Sequence, residues 1–423
     1  MRVQWSLFLL GAFCWTIVDN MSSPPADQDH LQKEEQDWRT WAIGRLWEER
    51  ERIGHTPLIK YPVRGLPFLQ LYLKDESATP TRSLKHRFAW ALALWSVVEG
   101  LVTRNSSTYE SSSGNTAAAE AYMYSAIGIP FYAVVSRNLE QAKIDNILGN
   151  NGQLIKTDDS TRGQLAKETA ARTGGFYVDQ HGNAEKAEDF TESGGYGHES
   201  GNVFHEVLAQ LRDDPEIPRK AVDYFVHCAG TGGTITSVGR YVDRYNLPTK
   251  VVLVDTEFSV YYDYVLKNGH KIETSPTPST PPGVPGVGYP AEAAPAIFGN
   301  TTSLASAVID EVMKIPDIAT AAGFREFHAR GLRGGPSSAM NMLGALEIAL
   351  KNAKSRREIS IVTLLNDPAE FYQNDYFNDT WINTAFADCG GLKALDCWRR
   401  VIASTLDRGT PFIENGMKDC KSN

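Results

Sequence analysis

Between Thr79 and Gly100 the chain reads TPTRSLKHRFAWALALWSVVEG. A polar helix start leads into an almost entirely apolar helix, and Gly100 closes it. A helix of that composition must be buried, yet Lys85 stands at its mouth. The N-terminus of a helix carries positive partial charge and disfavours an ammonium. Burial disfavours the charged form as well. Both effects push Lys85 toward a neutral amine, which is a nucleophile and a carbonyl trap. The competing reading is a lysine that snorkels to water on its long stem.

Outward from this helix, short apolar runs alternate with helical patterns. PFLQLYLKDE, before the helix, reads as a strand pair. After it, GNTAAAEAYMYSAIG reads as a small-residue helix and IPFYAVVS as a strand; KIDNILGNNG and QLIKTDD repeat the order. GNVFHEVLAQL, TITSVGRYVDRY and MNMLGALEIALKNA read as helices; AVDYFVHCAG, KVVLVDTE and ISIVTLLND read as strands. Such alternation implies an α/β fold with mostly parallel sheets covered by helices. The Pro-rich segment ETSPTPSTPPGVPGVGYPAEAAP cannot be regular structure, and a loop of that length inside a compact fold is usually functional.

Two glycine-bearing loops each follow a strand and open a helix. In YESSSGNTAAAEA, residues Ser111, Ser112, Ser113, Gly114, Asn115 and Thr116 offer hydroxyls, an amide and closely spaced N–H groups to an anion. In HCAGTGGTITSVGRY, Gly230, Gly232 and Gly233 let the backbone approach a phosphate, and Thr231 and Thr234 add hydroxyls. Either loop alone could be a plain strand-to-helix turn. A dinucleotide fingerprint is the rival, with Asp255 near the place of its acid, but Ile235 occupies the third glycine position.

With these residues in view, the chain resembles the fold type II pyridoxal-phosphate enzymes, the cysteine synthase and cystathionine beta-synthase family. GHTPLIK, SLKHR, SSGNT, GTGGTIT and GPSSA occur in that family's order over roughly residues 50–385. KDESATPTRSLKHR, YVDQHGNAEKAEDF, PGVGYP and IVTLLND are most similar to its L-cysteine desulfhydrase branch. The resemblance implies a two-domain, tryptophan synthase beta-like architecture at 45–385, with a smaller mobile domain at about 90–190. It implies pyridoxal 5'-phosphate bound through Lys85, which also serves as the base at Cα. Asn115 would meet the cofactor's ring oxygen, Gly230–Thr234 its phosphate and Ser337 its pyridine nitrogen. Ser111–Thr116 and Gln180 would bind the carboxylate of a small amino acid. A serine supplies no counter-charge to a pyridinium, so the ring stays nearly neutral and expulsion of a group from Cβ is favoured. The implied reaction is α,β-elimination on L-cysteine or a related amino acid. The alternatives are β-replacement of the cysteine synthase type, or a secreted binding protein that keeps the fold without turnover.

Some positions depart from the family pattern. Arg82 stands where glycine usually precedes SLK, Ala339 replaces a glycine, and Pro368 and Phe371 replace glycine and arginine. If the turn at 82 needs a positive φ, arginine there costs about 1 kcal/mol or more. These changes bear on substrate choice more than on the cofactor.

The termini and composition frame the rest. Residues 1–20 carry one arginine and then an apolar run, which fits a signal peptide or an uncleaved signal anchor. The expectation is a secretory or extracellular protein with no membrane span after cleavage. Asn20, Asn105, Asn300 and Asn378 head glycosylation tripeptides. Residues 21–44 read as an unstructured lead-in. Cys389, Cys397 and Cys420 cluster in the tail 386–423, where two could pair and leave one over; Cys228 reads as a buried free thiol. Net charge is −9 with no basic stripe, which argues against nucleic acid as a partner. No metal-ligand pattern occurs. Family members are usually dimers, which implies a homodimer.

Overall fold

The computed structural model describes residues 26–420, apart from 193–199, 216, 218–219, 270–282, 290–297, 300 and 356. The signal segment 1–20, Asn20, Asn300 and most of the Pro-rich segment lie outside the described residues.

Among the described residues, ten strands form two sheets. They are β1 (Leu58–Tyr61), β2 (Leu69–Asp75), β3 (Thr108–Glu110), β4 (Phe131–Ser136), β5 (Gln153–Thr157), β6 (Phe176–Tyr177), β7 (Tyr224–Cys228), β8 (Lys250–Thr256), β9 (Glu311–Ile315) and β10 (Ile359–Leu365). The larger sheet has the order β1-β2-β10-β7-β8-β9 and the smaller β5-β4-β3-β6. Every pairing is parallel except β1 with β2. This is the expected α/β architecture. PFLQLYLKDE forms one strand, β2, rather than two; its antiparallel partner β1 comes from LIKY earlier in the chain.

Side chains alternate across the larger sheet. Leu71, Leu73, Val226, Val252, Val254 and Ile361 join one core, and Tyr72, Phe225, Leu253, Val362 and Leu364 join another. Both faces are therefore buried, as a parallel sheet requires. A third core packs the smaller sheet against the helix Lys85–Val98 and the helix Asn115–Ala126.

The lead-in expectation needs correction: Ala26–Ile53 is one helix of 28 residues. Charges dominate its sequence, but Trp38, Ala42 and Leu46 recur at helical spacing and pack on the third core. Trp90 Nε1 donates to Leu46 O at 2.7 Å, and Trp47 meets Trp90 edge-on with ring centroids 5.2 Å apart. Arg50 pairs with buried Glu206, which also holds Lys74 (2.9 Å) and Arg87 (2.6 Å). Glu206 thereby ties this helix, β2 and the Lys85 helix together.

The tail also folds. Helices Gly391–Arg408 and Phe412–Asp419 are joined by a disulfide between Cys397 and Cys420, and Leu395, Trp398, Ile402, Leu406 and Phe412 complete the core on one face of the larger sheet. Cys389 is left over, and Cys228 is a buried free thiol.

Candidate active site

β7 and β10 end at one cavity of about 830 Å³, and the segments that follow β2 and β3 reach it at Ser83–Lys85 and Ser112–Thr116. That is where ligands bind in open parallel sheets. Among the residues expected from the sequence, Lys85, Ser112, Ser113, Gly114, Asn115, Thr116, Gln180, Gly230, Thr231, Gly232, Thr234 and Ser337 line it. Ser111 stands one residue behind the wall, its N–H donated to Glu110 Oε1 at 2.6 Å. Gly233 faces Ala184 instead of the cavity; a Cβ there would lie 2.8 Å from the Ala184 methyl.

Lys85 is the first residue of the helix Lys85–Val98, where no side chain caps the N-terminus. Burial lowers its pKa, against the opposing influence of Glu188, Cys228, Asp367 and Glu120. The ammonium form is disfavoured, as the sequence implied. The turn before it does require a positive φ: Arg82 has φ 61°. Its guanidinium pairs with Glu370 and lies 5.2 Å from the centre of the Phe371 ring. Two of the family departures, Arg82 and Phe371, therefore meet each other.

The loop Gly230–Thr234 opens the helix Gly233–Arg244. Gly232 caps it at φ 90°, and a Cβ there would lie 2.3 Å from Leu304 N. A Cβ at Gly230 would lie 2.3 Å from Gly286 O. Gly232 supplies no side-chain cap and Gly233 N donates to Thr231 Oγ1 (3.3 Å), so it is the N–H groups after Gly233 that are left for an anion.

Residues that sequence reading missed complete the site. Asn366 accepts from Leu84 N (2.7 Å) through its carbonyl oxygen, and donates through its backbone N–H to Ser338 Oγ (2.8 Å). Its side-chain amide donates to Ser337 Oγ (3.1 Å). It thus sets both the turn before Lys85 and the hydroxyl of Ser337. Asp367 accepts from Asn115 Nδ2 (2.8 Å) and from the Tyr372 hydroxyl (2.5 Å); burial pushes its carboxyl up to about 6. Glu188 accepts a long bond from Thr234 Oγ1 (3.4 Å), and burial pushes it up to about 7. His181 and His227 also line the cavity; His227 is buried, which lowers it to about 3. All of these lie inside stretches quoted from the sequence, His181 and Glu188 in YVDQHGNAEKAEDF, His227 in HCAGTGGTITSVGRY, Asn366 and Asp367 in IVTLLND, but nothing local reveals their partners: Asn115 and Asp367 are 252 positions apart. Asp255, the acid of the dinucleotide rival, is fully buried and accepts from Thr256 N and Tyr262 N, which makes it structural.

The residues fit pyridoxal phosphate. At 230 and 232 close-packed backbone admits only glycine, an uncapped helix start opens there, and a lysine whose ammonium form burial disfavours lines the same cavity. Among the described residues no cluster suits a metal ion, and no helix is long and apolar enough to cross a membrane.

Comparison with known proteins agrees with the geometry. The chain is 46% identical over 402 residues to a putative pyridoxal-phosphate dependent protein of Caenorhabditis elegans, covering 93% of this chain and 92% of that one. It is 32% identical over 363 residues to the L-cysteine desulfhydrase Cds1 of Mycobacterium tuberculosis, covering 84% and 93%. A crystal structure of a hydrogen sulfide-producing enzyme from Fusobacterium nucleatum shares the fold with TM-score 0.61 and 23% identity, covering 77% of this chain and 97% of that one. The family model for pyridoxal-phosphate dependent enzymes matches residues 50–367, and the chain belongs to that family.

Proposed function

We propose that the protein is a lyase that cleaves L-cysteine, or a related β-substituted amino acid, to hydrogen sulfide, pyruvate and ammonia. Similarity supports elimination, since the L-cysteine desulfhydrase is 32% identical whereas two relatives named as cysteine synthases are 27% and 28% identical.

The observation that carries β-chemistry is the bond from Asn366 Nδ2 to Ser337 Oγ. Because Ser337 accepts there, its own proton is left to donate. It can therefore meet an unprotonated ring nitrogen and disfavours a pyridinium. Pyridoxal phosphate, when bound, supplies an aldehyde for amines and a ring that draws electrons from Cα. The chain's residues do the rest. Lys85 would hold the aldehyde and, as a free amine, would take the proton from Cα. The N–H and hydroxyl groups of Ser112–Thr116, with Gln180, hold the substrate carboxylate. Gly230–Thr234 holds the phosphate. Asn115, fixed by Asp367, meets the ring oxygen. The region 90–190 closes over the bound amino acid.

Purified cofactor-loaded protein with L-cysteine should release sulfide and pyruvate in equal amounts, and Lys85→Ala should release neither. Formation of cysteine from O-acetylserine and sulfide, without pyruvate, would assign the replacement reaction instead. A protein that takes up no cofactor would overturn both.

We also infer passage through the secretory pathway and a homodimer. The Cys397–Cys420 pair and the exposed Asn105 and Asn378 support the first; the family habit supports the second. A mass shift on enzymatic deglycosylation, and the mass in solution, test them.

A further inference from the structure

Two carboxyl groups lie behind the Ser111–Thr116 turn. Glu110 ends β3 and is 1% exposed. Its Oε1 accepts from Ser111 N (2.6 Å) and its Oε2 from Gln180 N (2.9 Å). One side chain thus joins the turn that begins the carboxylate cradle to the segment that carries Gln180, 70 positions away. Glu120 sits one helical turn beyond Thr116, is fully buried, and neither of its oxygens has a hydrogen-bond partner among the described residues. The groups facing this pair are Asp179, Tyr177, Tyr124 and Lys85. Lys85 alone is cationic in kind, and burial lowers its charge.

Burial pushes Glu110 up to about 7, but the N–H groups of Gln180 and Ser111 pull the other way, so of the two carboxyls it is the one that ionises first. A buried carboxyl with no donors beside an ionised neighbour is stable only when protonated. Burial and Glu110 together hold Glu120 well above the usual carboxylate range. Two negative charges here would also oppose any anion docking on the turn above.

We propose that Glu110 and Glu120 form a buried pair holding one proton behind the amino-acid cradle: Glu110, ionised, is a positioning residue that clamps Ser111 to Gln180, and Glu120 carries the proton that lets a carboxylate dock. This rests on the reading of Ser112–Thr116 and Gln180 as the amino-acid site.

The test uses the cofactor-loaded protein and its visible absorption band, titrated with L-alanine, which has no group to expel from Cβ. Glu110→Gln replaces one acceptor by an N–H₂ that faces a donor. Its dissociation constant for L-alanine should rise by about tenfold, the loss of one charge-assisted bond. Its affinity for pyridoxal phosphate should stay within about twofold, since no bond to the phosphate loop changes. Glu120→Gln keeps the neutral state and should bind L-alanine within about threefold of the parent. A parallel loss of cofactor affinity in Glu110→Gln would mean a merely structural role and overturn the proposal, as would unchanged L-alanine binding. If Glu110→Gln does not fold, isotope-edited infrared spectra of the parent and Glu120→Gln decide: a protonated glutamic acid band present in the first and lost in the second is expected, and its absence from the parent overturns the pair. A parent whose band never responds to any amino acid would overturn the functional reading as well; a responsive parent with an unaltered Glu110→Gln overturns the pair alone.

Discussion

Two strand-to-helix turns border the same cavity, Ser111–Thr116 after β3 and Gly230–Thr234 after β7, and they are braced differently. At the second, the chain is fixed by steric contact. Gly232 has φ 90°, and added Cβ atoms at Gly230 or Gly232 would collide with backbone. At the first, Gly114 has φ −110°, and nothing lies within 4 Å of its Cβ position. That turn is held by hydrogen bonds to buried carboxylates, Glu110 behind Ser111 and Asp367 on Asn115. A cofactor phosphate stays through many turnovers and suits a cup that cannot deform. A substrate carboxylate must enter and leave, and hydrogen bonds can be remade where backbone collisions cannot.

The comparison can be broken in graded ways. The largest effect belongs to the group both turns serve. Lys85→Ala should lower turnover by about 10³-fold, the usual reach of a lost general base, and abolish the visible band of the bound cofactor. Next comes a matched pair. Gly232→Ala meets Leu304 N at 2.3 Å, and strain of about 1–3 kcal/mol should weaken cofactor binding by about tenfold or more. Gly114→Ala meets open space and should leave cofactor binding and thermal stability within about 0.5 kcal/mol of the parent. Equal losses in the two variants, read by equilibrium titration of cofactor, would erase the distinction.

Away from the cavity the expected effects separate stability from activity. Cys397→Ser opens a link spanning 23 positions; denaturant unfolding should show a loss of about 2–4 kcal/mol, with the rate on substrate unchanged. The smallest effect is expected at Arg82. Glycine there would relieve the positive φ, a gain of about 1 kcal/mol. It would also remove the exposed pair with Glu370, worth about 0–1 kcal/mol, and the contact over Phe371, worth about 0.5–1 kcal/mol. These nearly cancel, so stability should move by less than about 1 kcal/mol, while entry of bulky substrates past Glu370 and Phe371 changes.

Much of this was legible in the sequence because it is local. A strand, a glycine turn and a helix start are neighbours in the chain, so the Gly230–Thr234 loop, the Ser112–Thr116 turn and Lys85 could be read directly as lining one site. The positive φ at Arg82 could be anticipated because a missing glycine is a local signal too. What escaped depends on distant partners. Asn366 and Asp367 close the quoted stretch IVTLLND, but their roles come from Ser337, Leu84 and Asn115, which the fold brings beside them. The helix Ala26–Ile53 escaped because charge outweighs its narrow stripe of Trp38, Ala42 and Leu46, and that stripe matters only once the Lys85 helix lies against it. PFLQLYLKDE was divided in two because a strand apolar on both sides loses the alternation that marks its length; both faces of β2 are covered.

The order of strands in the larger sheet also governs how the molecule is made. β2 pairs along its whole length with β10, Leu69 with Ile359 through Asp75 with Leu365, so β2 waits for a segment synthesised much later. The smaller sheet draws its four strands from one continuous stretch, Thr108–Tyr177. During synthesis the smaller sheet can assemble while β1 and β2 still lack their neighbour. The apolar β2 is then exposed until β10 emerges, and high contact order slows its capture. A truncation before Ile359 should therefore leave the smaller sheet able to form and the larger one open at its centre, an aggregation-prone species that owes nothing to the chemistry of the site.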